Sequence, residues 1–106
     1  MTYHNEIIKT CKKYTIKAKE EMWIDNNSFT TFHPRFIQVN SSIPSNLCSK
    51  AECVDVDIFG SITPELPVVF LTNIKQQGQE RICGIEVQQK MMIRNNKNED
   101  VLVSFS

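Results

Sequence analysis

The feature that most constrains this chain is strict alternation of apolar and polar residues in several short runs. In Cys53-Val54-Asp55-Val56-Asp57-Ile58-Phe59, Val54, Val56 and Ile58 share one side of an extended chain and Asp55 and Asp57 the other. Val101, Val103 and Phe105 alternate in the same way, as do Cys83, Ile85 and Val87 within Arg81 to Ile93. A period of two puts one face in a core and the other in water, which is the signature of strands in an antiparallel system.

Other segments extend the pattern. Val68-Val69-Phe70-Leu71 is apolar on both faces and reads as a central strand covered on both sides. Gln76-Gln77-Gly78-Gln79 reads as a hairpin turn, and Asn95 to Asp100 as a polar turn. Residues 14–24 fit two templates. Tyr14, Ile16, Ala18, Met22 and Ile24 keep period two, while Ile7, Cys11, Tyr14, Ala18 and Met22 keep helical spacing. The turn-rich Asp25-Asn26-Asn27 and the β-branched, aromatic run from Phe29 to Val39 favour a hairpin over 14–39, with a break at His33-Pro34, because proline has no amide hydrogen for a ladder. Residues 4–13, with Asn5 as a cap and Ile7, Ile8 and Cys11 on one face, predict a short N-terminal helix. Residues 40–51 form a polar loop, where binding residues tend to sit.

The expectation is a single domain over 1–106: a mainly β antiparallel sandwich or small barrel of six to seven strands with that helix. If 14–24 is helical instead, the fold becomes α+β, a helix packed on an antiparallel sheet. A chain of 106 residues buries roughly 60–70% of its unfolded surface, enough for a core without metal or disulfide support.

Composition narrows the function classes. Twelve Lys and Arg balance twelve Asp and Glu, so no global field favours nucleic acid or an anionic membrane. No apolar run approaches the roughly 18 residues that span a bilayer. The start lacks a basic segment followed by an apolar one, and the four cysteines (Cys11, Cys48, Cys53, Cys83) are too widely spaced for a disulfide framework. The expectation is an intracellular protein, in cytoplasm or nucleus, with reduced structural thiols. Zinc would want two tight ligand pairs, and only Cys48 and Cys53 approach one, so no metal or cofactor is expected. Asn26-Asn27-Ser28 and Asn40-Ser41-Ser42 match the glycosylation sequon by accident in such a setting.

Chemistry-bearing constellations are sparse. The two histidines are His4 and His33, and no nucleophile elbow or phosphate loop is present. Asp55 and Asp57 lie about 7 Å apart on one strand face; a calcium site or carboxylate pair competes there with a plain wet face, which alternation alone explains.

Surplus apolar residues carry more. Met22-Trp23-Ile24 and Met91-Met92-Ile93 are consecutive, so a strand must send some of them away from the core. Trp23 shares parity with Glu21, which marks its face as the wetter one. Trp and Met are enriched in interface cores, and Met surfaces adapt to partners. Trp23, Phe32, Arg35, Phe36, Met91 and Met92 are therefore the interface candidates, with Trp23 placed near Phe32 or Phe36 across the hairpin. The function expected is a non-enzymatic binding or assembly subunit acting through protein association, with a protein partner or a second copy. The alternative is a small barrel binding single-stranded nucleic acid, with the aromatic residues and Arg35 near Lys17 and Lys19 as its groove. An enzyme of unknown class stands third.

Overall fold

The computed structural model describes residues 12–24, 34–43 and 53–106. Among them are eight strands: β1 (Lys12–Ile16), β2 (Glu21–Ile24), β3 (Phe36–Ser41), β4 (Val56–Ser61), β5 (Val69–Ile74), β6 (Gly78–Arg81), β7 (Lys90–Asn95) and β8 (Val101–Phe105), with a 3-10 turn at Ile85–Val87. They form two antiparallel four-stranded sheets, ordered β1-β8-β3-β6 and β2-β7-β4-β5. Each strand of one sheet has a sequence neighbour at the same place in the other. Eight antiparallel strands in these orders make a jelly roll, a sandwich whose sheets keep their edges, in place of a closed barrel.

The alternation seen in the sequence sets the core. Val56 and Ile58 of β4, Val54 before it, and Val101, Val103 and Phe105 of β8 are buried, with Ile37, Val39, Met91 and Ile93 between them. Burying each such side chain stabilises the fold by roughly 1.5–3 kcal/mol before entropy is counted.

A buried asparagine ties two of the sheet-crossing turns together. Asn95, with no exposed surface, points inward from the end of β7. Its amide donates to the carbonyls of Ile16 (3.1 Å), Lys17 (3.2 Å) and Glu99 (2.9 Å), and its oxygen accepts from the Lys97 amide (3.0 Å). The β1–β2 and β7–β8 connections are thereby fastened to each other, and every side-chain polar atom of Asn95 has a partner.

Several expectations are corrected. Among the described residues the strand count is eight, not six to seven. The hairpin over 14–39 does not form. β1 and β2 lie in different sheets, joined by a tight turn in which Lys19 adopts φ 63°, and β2 pairs with β7 while β3 pairs with β6 and β8. The helix over 4–13 falls outside the described residues except Lys12 and Lys13, which are strand; among the described residues the 3-10 turn is the sole helical element. Gln76–Gln79 crosses between sheets, since β5 and β6 are not partners.

Residues 81–93 are not one strand. Gly84 at φ 79° turns the chain, so Ile85 is buried but Cys83 and Val87 face solvent. Val69–Ile74 is an edge strand, not a central one, with Val69 and Phe70 more than half exposed. A bulge between Ile58 and Phe59 in the β4–β5 register explains its two-sided apolarity. Thr72 and Ile74 face Ile58 and Val56, whereas Phe70 pairs with Phe59.

Candidate binding face

The most distinctive surface is the outer face of the β2-β7-β4-β5 sheet. Cross-strand register aligns one residue from each strand into a row: Trp23 opposite Met92, Met92 opposite Phe59, and Phe59 opposite Phe70. Three inter-strand steps make the row about 14 Å wide. Its two ends are open, Trp23 at 56% and Phe70 at 57% exposure, whereas Met92 at the middle is buried, at 5%, though apart from the main core cluster. The Phe59 and Phe70 rings meet edge to face at 5.7 Å between centroids.

A charged row runs beside it: Glu21, Arg94, Asp57 and Asn73, in register across the same four strands. The Arg94 guanidinium donates to Glu21 Oε2 from Nε (3.2 Å) and Nη2 (3.1 Å), comes within 4.0 Å of Asp57, and lies over the Phe59 ring at 5.1 Å. Arg94 thus welds the two rows together.

Asp55 and Asp57 are bridged by amides. Asn73 Nδ2 donates to both carboxylates at 2.8 Å, and Asn96 Nδ2 to Asp55 (3.3 Å) and Asp57 (3.0 Å). Burial alone would raise the Asp55 carboxyl. The Asn73 and Asn96 hydrogen bonds, with Lys75 and Lys97 nearby, more than offset this and hold it below its ordinary value. Among the described residues no group of three or more His, Cys, Asp or Glu is placed to hold a metal ion. The four amide hydrogen bonds make the pair a strut that ties β4 to Asn73 of β5 and to Asn96 just after β7.

The interface candidates divide. Trp23 and Met92 stand together in the apolar row. Met91 points the other way and is fully buried in the core, so it presents no surface to a partner. Phe36 and Arg35 lie at the start of β3 in the other sheet, their amides donating to the Ser106 carbonyl (both 2.9 Å), so Phe36 is not across a hairpin from Trp23. Phe32, His4, His33, Cys11 and Cys48 lie outside the described residues. Phe59, Phe70, Glu21 and Arg94 were not singled out from the sequence. The signal for Phe59 was present, since it shares parity with Asp55 and Asp57 on the wet face. Phe70 depended on a bulge that no pattern announces.

No helix among the described residues is long and apolar enough to cross a membrane. No family model matches the chain, and no curated protein matches it in sequence. Among solved structures it is similar to the core of Drosophila NLP, whose crystal structure concerns pentamer formation and histone binding, at 12% identity and a TM-score of 0.47 over 91% of this chain and 95% of that one. It is also similar to a Yersinia pseudotuberculosis-derived mitogen, at 14% identity and a TM-score of 0.48 over 91% and 82% of the two chains. At these values neither likeness bears on what this chain binds.

Proposed function

We propose that this chain is a non-enzymatic binding or assembly subunit that associates with protein through the outer face of its β2-β7-β4-β5 sheet. The observation that carries the reading is the edge-to-edge apolar row of Trp23, Met92, Phe59 and Phe70. Isolated exposed apolar residues are ordinary, but a continuous row with a half-exposed Trp at one end has the composition of an interface centre. The neighbouring Glu21, Arg94 and Asp57 would supply a polar rim.

Single-stranded nucleic acid fits this face less well. Stacking aromatics need cations beside them to hold phosphates, and here the neighbouring row carries two carboxylates whose guanidinium partner is already engaged.

The test is site-specific photo-crosslinking. Phe70 is replaced by a photoreactive phenylalanine analogue and the chain is irradiated in extract of its source. A discrete adduct with a protein, lost when Trp23→Ser is added, is the expected result. Adducts with nucleic acid, or none with any protein, would overturn the reading.

A further inference from the structure

We infer that the open edge of β5 takes an extended segment of a partner protein as a fifth strand of the β2-β7-β4-β5 sheet. This deepens the association reading and rests on it, since the added strand lies beside Phe70 at the end of the apolar row. Among the described residues the two sheets leave four edges: β1, β6, β2 and β5. Three of them carry charge: Lys12 and Lys13 on β1, Glu21 on β2, Glu80 and Arg81 on β6. Charged side chains on an edge keep other strands from pairing with it. β5 differs. Its six residues from Val69 to Ile74 make it the longest of the four, and none of them is charged or a proline.

Among the described residues β5 has a strand on one side only, and no loop main chain bonds to Val69–Ile74 from the other. The amides and carbonyls of such an edge are complementary to another extended main chain lying about 4.8 Å away. The side chains add to this. Phe70, opposite Phe59, projects from the outer face of the sheet, and Val69, opposite Gly60, from the inner one. Both are more than half exposed, so this end of β5 is apolar and open on two faces at once. On the inner side Ile62 and Leu66, also more than half exposed, line one hollow with Val69. The bulge in the β4–β5 register lies beyond Phe70, which leaves Val69 and Phe70 regularly paired with Gly60 and Phe59.

These features specify the occupant. Its main chain is extended, and successive side chains alternate between Phe70 on one face and Val69, Ile62 and Leu66 on the other. Both sets meet apolar surface, so the segment is uncharged and rich in β-branched or aromatic residues. On the outer face its residue beside Phe70 lengthens the apolar row from four side chains to five. A second copy of this chain fits less well. Antiparallel pairing along the whole of two β5 strands sets Phe70 against Asn73, whose amide is already held by Asp55 and Asp57.

The probe is a short capped peptide of alternating valine and threonine with a lysine at each end, compared with the same peptide methylated on every main-chain nitrogen. Methylation keeps the side chains and removes the donors of the ladder, which separates edge pairing from docking on an apolar face. With the plain peptide at roughly millimolar concentration, amide exchange across Val69–Ile74, read by NMR, should slow by about tenfold or more. The amides of β1, β2 and β6 should be unaffected, and the methylated peptide should do nothing. Val69→Lys, shown to be folded by circular dichroism, should abolish the protection, with Val69→Glu as its substitute. Unchanged exchange at β5, an equal effect of the methylated peptide, or equal protection of the other edges would overturn the inference. So would a dimer of the native chain in sedimentation velocity that Val69→Lys abolishes, because the occupant would then be a second copy. If Phe70 crosslinks to a protein while the peptide leaves β5 unprotected, the edge inference fails and the association reading stands. If the peptide protects β5 while Phe70 crosslinks to no protein, the edge accepts a strand and the association reading fails.

Discussion

Trp23 of β2 stands directly opposite Met92 of β7 on the outside of the sandwich, and Met92 is buried there although it stands apart from the main core cluster. The methionine is screened in the middle of the row while the indole at its edge remains more than half exposed. That arrangement separates the two residues in their expected effects. Trp23→Ala should leave the thermal midpoint within a few degrees of the native value and weaken association by about 2 kcal/mol or more. Met92→Ala should lower stability by about 2–3 kcal/mol, read from the shift in a urea midpoint.

Asn95 is a second test of the fold. Asn95→Leu keeps the branching at Cγ but leaves the Lys97 amide and the carbonyls of Ile16, Lys17 and Glu99 without that side chain as a partner. A loss of about 2–4 kcal/mol is expected in denaturant unfolding. A loss under about 0.5 kcal/mol would mean that the link between the two turns contributes little.

On β4 the two faces should respond differently. Val56→Asp puts a charge into the core and should cost several kcal/mol. From alternation alone Asp57→Asn would be nearly silent. Because Asp57 accepts from Asn73 and Asn96 and lies near Arg94, the cost expected is about 1 kcal/mol, again measured as a urea midpoint.

Asp55 makes stability depend on pH. Its carboxyl is held below its ordinary value in the fold, so the stabilisation is present above the unfolded-state pKa and is lost as pH falls through the folded one. Comparing urea midpoints at about pH 7 and about pH 3, Asp55→Asn should lose less stability on acidification than the native chain. An identical loss in both would show that Asp55 is not a contributor.

Cys83 is exposed in the turn before Gly84, whereas Cys53 is partly covered. Of these two, Cys83 should be labelled faster by a thiol reagent in the native state, read by mass spectrometry of the labelled peptides, and equal rates at Cys83 and Cys53 would contradict the difference in exposure.

What the sequence made legible follows from where period two survives. Val56 to Ile58, with Val54 just before β4, and Val101 to Phe105 alternate regularly, so alternation named their buried faces correctly, and the parity that placed Trp23 with Glu21 on a wet face holds as well. Sheet membership was not legible. A tight turn at Ala18-Lys19 looks the same whether the next strand pairs with the last or crosses the sandwich, and only tertiary contacts such as the Asn95 bonds decide. The row from Trp23 to Phe70 is a property of register among four strands, two of them far apart in sequence, and the β4–β5 bulge reverses the parity that would have predicted it.

The most direct measurement of the association surface is collisional quenching of Trp23, the chain's single tryptophan, in the dilute chain and in its assembled or partner-bound form. In the dilute chain the emission should be red-shifted and readily quenched by acrylamide, and in the complex it should be shifted to the blue and protected. Equal accessibility in both states, or protection already in the dilute chain, would contradict the assignment of this sheet face as the surface through which the protein associates.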